Sequence, residues 1–323
     1  MMVQPLPPGA FLIDKPRDLT SSDVVNRLKR VLIRQGCAPK GFKIGHGGTL
    51  DPFATGVLAV LVGEATKLAD CYLHSTKSYS GRIRLGERKD TGDLTGETID
   101  RAPVPGLELA QWRALAETFT RTPYWQTPPM YSAKKQGGKA LHQLARQGIE
   151  VRREPILKRI DSFSLNTLEN GCLEFAVTCE SGTYVRVLAE DLASKAGTLA
   201  FLDRLERTAS SDLTLSNCAS LESTLQRIEE GTPFEKFPNF SPLSSIATHL
   251  PRIDLRDFEL ARIRSGVPSE VERLTRFADR LETRSRYVIA GSGDHPVALL
   301  ERPEAGQPFR LQRIFVHETQ KPS

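Results

Sequence analysis

The sequence predicts an α+β fold with a largely antiparallel sheet. Three observations carry this expectation. Leu173, Phe175, Val177 and Cys179 alternate with Glu174, Ala176, Thr178 and Glu180, which is the pattern of a strand with one wet face. Val24, Val25, Leu28, Val31 and Leu32 follow Thr20-Ser21-Ser22 at helical spacing and end near Gly36, so hydroxyl caps precede an amphipathic helix. Elsewhere strand and helix patterns mix without a regular βαβ rhythm, which disfavours a parallel doubly wound sheet.

The elements follow in order. Phe11 to Ile13 form a short apolar strand ending at Asp14-Lys15-Pro16, and the capped helix comes next. Residues 45–56 are glycine-rich and read as a loop, residues 57–62 as a buried strand, and residues 64–73 as a short helix. A strand over 79–85, a turn over 90–96 and a helix marked by Leu109, Trp112, Ala116 and Phe119 follow. Residues 124–148 carry prolines, glycines and lysines without long periodicity and read as an excursion from the core. Val185, Leu188, Ala189 and Leu192 have helical spacing after Ser181-Gly182. Residues 231–242, with three prolines and three phenylalanines among polar residues, read as a linker. Beyond it, a helix over 253–266 and strands over 287–290, 297–300 and 309–316 form a small β-rich unit.

Composition narrows the class. With 323 residues, 39% hydrophobic and 26% charged, the chain is too apolar for disorder and too polar for a membrane bundle. Its longest strongly apolar stretch without charge, residues 52–63, falls well short of the roughly 20 residues of a spanning helix. The N-terminus has no basic region followed by an apolar one and is not read as a signal peptide. Cys37, Cys71, Cys172, Cys179 and Cys218 are odd in number and lack C-x-x-C spacing. A reducing, cytoplasmic setting is expected, with neither a disulfide framework nor a metal module. The net charge of +5 is not spread evenly. Residues 134–159 hold eight bases (Lys134, Lys135, Lys139, Arg146, Arg152, Arg153, Lys158 and Arg159) and two acids, so the rest of the chain sums to −1. Such a segment suits a phosphate backbone, and it equally suits a solvated surface.

Cofactor motifs fail individually. Gly137-Gly138-Lys139 lacks the earlier glycine of a phosphate loop and is followed by Ala140 rather than a hydroxyl. Gly291 and Gly293 lack the third glycine of a dinucleotide fingerprint, and Cys179 occupies the first glycine position of a nucleophile elbow. No cofactor is expected.

The informative run is Gly45-His46-Gly47-Gly48-Thr49-Leu50-Asp51-Pro52-Phe53-Ala54-Thr55-Gly56. Its glycines allow tight turns and close ligand approach, and Pro52 stiffens the backbone beside Asp51. The residues by themselves are equally compatible with a turn-forming aspartate. The run resembles the signature of the TruB family of tRNA pseudouridine synthases. Other segments resemble that family in the same order: Leu12 to Pro16 with Thr20-Ser21-Ser22, Lys77-Ser78-Tyr79, Asp90 to Asp93 with Gly96, Pro129 to Gly148, and Ser181 to Arg186. The resemblance spans about residues 9–215. Asp18 and Lys89 depart from it, standing where the family usually has glycine and a small polar residue.

The resemblance implies the pseudouridine synthase fold over 9–230, with a basic RNA-binding insertion at about 124–150. A linker over 231–242 and a small PUA-like RNA-binding domain over 243–323 complete the expected organisation. It assigns the nucleophile to Asp51, an ion partner to Arg186, and base stacking with proton transfer to Tyr79. Tyr184 and Leu202 are implied to line the uracil pocket, His46 to contact the RNA loop, and Lys15 to support the pocket. Lys134, Lys135, Lys139 and Arg146 would neutralise phosphates of a T arm, with Tyr131 and His142 among them to stack. The implied reaction converts uridine 55 of tRNA, flipped out of the T loop, in a monomer without metal, membrane or guide RNA. Attack at C1′, attack at C6 and a glycal route all remain open. Two other readings stand beside it: an RNA-folding protein with secondary catalysis, and a guide-RNA-dependent enzyme.

Overall fold

The computed structural model describes residues 4–132, 135–136, 139–145, 147–265, 267–274, 285–302 and 309–315. For residues 135, 136, 139, 140, 142, 143, 268, 270 and 272 it describes the main chain only. A ten-stranded mixed sheet forms the centre. The strands that matter here are β1 (Gly9–Lys15), β2 (Ile44–His46), β3 (Thr55–Val62), β4 (Lys77–Leu85), β5 (Ile160–Glu169), β6 (Cys172–Cys179) and β7 (Ala200–Ser210). Their order is β5-β6-β4-β7-β3-β1, with Ala219–Ser220 at the far edge. All these neighbours are antiparallel except β7 with β3 and β1 with the edge strand, which are parallel. The predicted α+β class and largely antiparallel pairing are observed.

Helix α1 (Ser21–Arg34) buries Val24, Leu28, Val31 and Leu32, as its spacing predicts. Thr20 caps it, accepting the Asp23 amide while Asp23 returns a carboxylate to the Thr20 amide, a capping box. Helices α2 (Leu109–Arg121) and α3 (Val185–Lys195) contribute Trp112, Ala116, Phe119, Leu188 and Leu192 to the same core as β4, β6 and β7. Residues 63–73 are a 3₁₀ turn continuing into a short α-helix.

Residues 231–242 do not form the predicted linker. Phe234 and Phe237 are buried and pack with Phe240 around the fully buried Phe11 of β1, at centroid separations of 4.9–6.1 Å. Phe240–Pro242 pairs antiparallel with the start of β1, and Asn239 donates to the Leu12 carbonyl at 3.1 Å. The phenylalanines outweigh the prolines because aromatic rings gain more from burial than turn-forming residues gain from solvent.

The C-terminal region holds a four-stranded sheet built from Arg252–Asp254, Tyr287–Ser292, His295–Glu301 and Arg310–Ile314. The predicted helix over 253–266 begins later, at Asp257, because residues 252–254 pair in parallel with 289–291. Tyr287, Ile289, Leu299 and Phe315 share a core with Leu12, Val57, Leu61 and Leu68, and Lys67 donates to the Ile314 carbonyl at 2.6 Å. Among the described residues no helix is long and apolar enough to cross a membrane.

Candidate active site

Asp51 sits on the loop between β2 and β3, and that loop is fixed from three sides. The Ser21 hydroxyl, at the start of α1, accepts the Leu50 amide at 2.9 Å and faces the Leu50 carbonyl at 3.3 Å. Lys15, fully buried at the end of β1, donates to the carbonyls of Pro16, Leu19 and Pro52 at 2.7–3.2 Å. Arg207 on β7 donates to the carbonyls of Gly48 at 3.1 Å, Thr49 at 3.2 Å and Val57 at 2.8 Å. Gly56 is required here: it has φ +104°, and a Cβ would come within 2.3 Å of the Arg207 carbonyl. Asp18, the departure from glycine, adopts φ +67° while its amide donates to the Pro52 carbonyl. The left-handed conformation explains why glycine would suit that position, and aspartate is among the few other residues that tolerate it.

Arg186 lies in the first turn of α3, only 4% exposed. Its Nε is 2.9 Å from Asp51 Oδ2, and Asp51 remains 36% exposed. Nη1 donates to the Thr91 carbonyl at 2.6 Å and Nη2 to the Tyr131 carbonyl at 2.8 Å, while Asp93 Oδ2 lies 3.8 Å away. The guanidinium is therefore oriented by main chain on one side and aimed at the Asp51 carboxylate on the other. The start of α3 is held by Gln126, whose Oε1 accepts the Tyr184 amide at 2.7 Å and whose Nε2 donates to the Tyr184 carbonyl at 3.0 Å. Gln126 also donates to the Tyr124 hydroxyl, which donates to Asp191 at 2.7 Å.

A cavity of about 530 Å³ opens over this pair. Asp51, Tyr79, Tyr184 and Arg186 line it, together with Lys77, Leu205 and Arg207. The structure thus brings four of the expected residues to one pocket. Burial raises the Tyr79 and Tyr184 hydroxyls above the ordinary tyrosine value, and the Arg207 charge opposes the rise at Tyr79. Burial, reinforced by the Arg207 charge, pushes Lys77 down to about 7.

Other expected residues lie elsewhere. Leu202 does not line the cavity: it is fully buried in the core, paired with Ile83 of β4. A register shift between Leu202 and Arg204 changes the pairing of β7, and Leu205 instead reaches the pocket. His46 flanks the loop on β2; burial first, and then the Arg207 charge, holds it below the ordinary histidine range. Lys15 sits behind the loop, pushed down to about 8 by burial against the opposing pull of Asp51. Tyr131 presents its hydroxyl to Asp90 at 3.3 Å and its carbonyl to Arg186. Lys134 and Arg146 lie outside the described residues. Lys135 and Lys139 fall on two paired short strands whose side chains are not described.

Sequence reasoning missed Lys77, Leu205 and Arg207 as pocket residues. A signal existed for two of them: Leu205 and Arg207 are two apart on one strand, so they share a face.

A family model described as TruB family pseudouridylate synthase (N terminal domain) matches residues 34–185. The tRNA pseudouridine synthase B of Bacillus pumilus is 36% identical over 322 residues, covering 97% of this chain and 99% of that protein. The chain belongs to the TruB family. Its Bacillus velezensis relative of the same name is 36% identical over 277 residues, 83% of this chain and 86% of that protein. The TruB-family relative from Psychrobacter cryohalolentis is 42% identical over 216 residues, 66% of this chain and 58% of that longer protein. The TruB-family fold extends to the crystal structure of a Cbf5-Nop10-Gar1 complex, with a TM-score of 0.70 at 22% identity over 95% of this chain and 85% of that one. At that identity the likeness concerns the fold alone.

Proposed function

We infer that this protein is a tRNA pseudouridine synthase acting on uridine 55 of the T loop. The observation that carries the reading is the Asp51–Arg186 pair at 2.9 Å in a cavity of about 530 Å³ that Tyr79 and Tyr184 also line. The curated relatives named tRNA pseudouridine synthase B support the substrate class.

The reaction is an isomerisation. The N1–C1′ bond breaks, the uracil rotates, C5 bonds to C1′, the C5 proton leaves and N1 gains a proton. It needs a group that stabilises or captures the detached sugar or base, and an ionised carboxylate serves either purpose. Arg186 keeps Asp51 charged and oriented, because a guanidinium at hydrogen-bond distance favours the carboxylate. Tyr184 and Leu205 give the pocket walls on which a planar base can rest. Tyr79 would relay protons: burial keeps its hydroxyl protonated, so it gives that proton to N1 and takes the one leaving C5.

The target base must leave the loop stack to reach Asp51. The basic segment around Lys134, Lys135, Lys139 and Arg146 would hold the phosphates of the T arm, with Tyr131 at its base and no guide RNA required. The C-terminal sheet would act as a PUA-like second RNA contact, and the enzyme would work as a monomer in the cytoplasm. The test uses a tRNA transcript labelled with tritium at uridine C5. Release of one C5 tritium per tRNA is expected, with none from a transcript carrying cytidine at position 55. Absence of release from the unmodified transcript would sink the reading.

A further inference from the structure

Arg207 has no part in the chemistry described so far. It is 2% exposed, and its fork donates to main-chain carbonyls on both sides of Asp51, Gly48 and Thr49 before it and Val57 after it, while its side chain also hydrogen-bonds Tyr79. Its own backbone pairs with Gly56 on β3 and with Tyr79 on β4. One residue therefore joins the loop that presents Asp51 to the strand that presents Tyr79. The absence of Cβ at Gly56 lets the two strands approach this closely. A point-like ammonium could not repeat the arrangement, because the acceptors lie at the two ends of the loop and need a planar fork. The arginine also leaves its charge to act on the pocket: Lys77, His46 and Tyr79 each feel it.

We propose that Arg207 is a positioning residue of the reaction, setting the separation between the Asp51 loop and Tyr79 rather than binding RNA. This rests on the reading of Asp51 and Tyr79 as the reacting groups. Reacting atoms displaced by about 1 Å cost on the order of 100-fold in rate. Loss of the fork therefore lowers turnover without touching tRNA affinity.

The test compares wild type, Arg207→Lys, Arg207→Gln and Asp51→Asn under single turnover, with the tRNA dissociation constant and melting temperature measured in parallel. The expected result is a fall of about 10- to 100-fold in the conversion rate for both Arg207 variants, with affinity within about twofold of wild type. Lysine is not expected to rescue, since charge alone does not hold both ends of the loop. If the variants convert tRNA at the wild-type rate, or lose rate only in step with affinity, the proposal is overturned. If neither variant folds alone, both are assayed beside wild type in trimethylamine N-oxide, which favours the folded state. A rate reduced about fivefold or more at unchanged affinity supports the clamp, and a wild-type rate overturns it. An inactive wild type would instead count against the functional reading itself.

Discussion

Arg186 shows how much of the site rests on single side chains. A buried guanidinium that serves one carboxylate and two carbonyls leaves three groups wanting when it is removed. Partly exposed Asp51 can rehydrate, so the cost stays below that of a fully buried pair. Arg186→Met should lower stability by about 3 kcal/mol in urea unfolding and abolish conversion. A decrease under about 0.5 kcal/mol would show that the guanidinium does not organise the pocket. Lys77 makes a pH prediction. Burial favours its neutral form, so between about pH 7 and 10 the folded chain binds fewer protons there than the unfolded one. Stability from this group therefore rises with pH across that window. In Lys77→Met this rise should vanish, so the variant-minus-wild-type difference in melting temperature should fall steadily from pH 7 to 10; a constant difference would contradict it. At this scale the sequence was legible where a resemblance named a residue, as for Asp51, Tyr79, Tyr184 and Arg186. Leu202 was misplaced because an irregularity in strand pairing is not written in hydrophobic alternation, and Leu205 takes the pocket position. Arg207 escaped notice because a buried cation bonded to carbonyls has no composition signature.

The elements were legible wherever periodicity was long. Helix α1 and strand β6 follow their patterns closely, since a 3.6 or a 2.0 repeat sustained over eight or more residues defines one buried face. Residues 231–242 were not, because prolines and polar residues signal a loop while the partner that buries the phenylalanines, Phe11, is more than 200 residues away. That packing is testable. Phe237→Ala should cost about 3–4 kcal/mol, as for an aromatic truncated in a core. A true linker would give a change near zero in the same unfolding experiment. The loop between β1 and α1 offers a contrasting case. Asp18 holds a left-handed backbone, so Asp18→Gly should be neutral or stabilising by up to about 1 kcal/mol, and Asp18→Val destabilising by at least as much.

The molecule as a whole carries a net +5, the sum of +6 in residues 134–159 and −1 elsewhere, while the Asp51 carboxylate of the pocket is paired with arginine. If that segment grips the T arm, Lys134→Ala with Lys135→Ala should weaken tRNA binding and reduce its salt slope by about 2, one for each phosphate left unneutralised. An unchanged slope in filter-binding titrations would reject the grip and leave a solvated surface. The central claim concerns Asp51, and it is tested most directly by C5 tritium release from an unmodified tRNA transcript with wild type and Asp51→Asn. Conversion by wild type and none above background by the variant is predicted, with equal tRNA affinity and both proteins folded at the assay temperature. Equal conversion by the two proteins would contradict it.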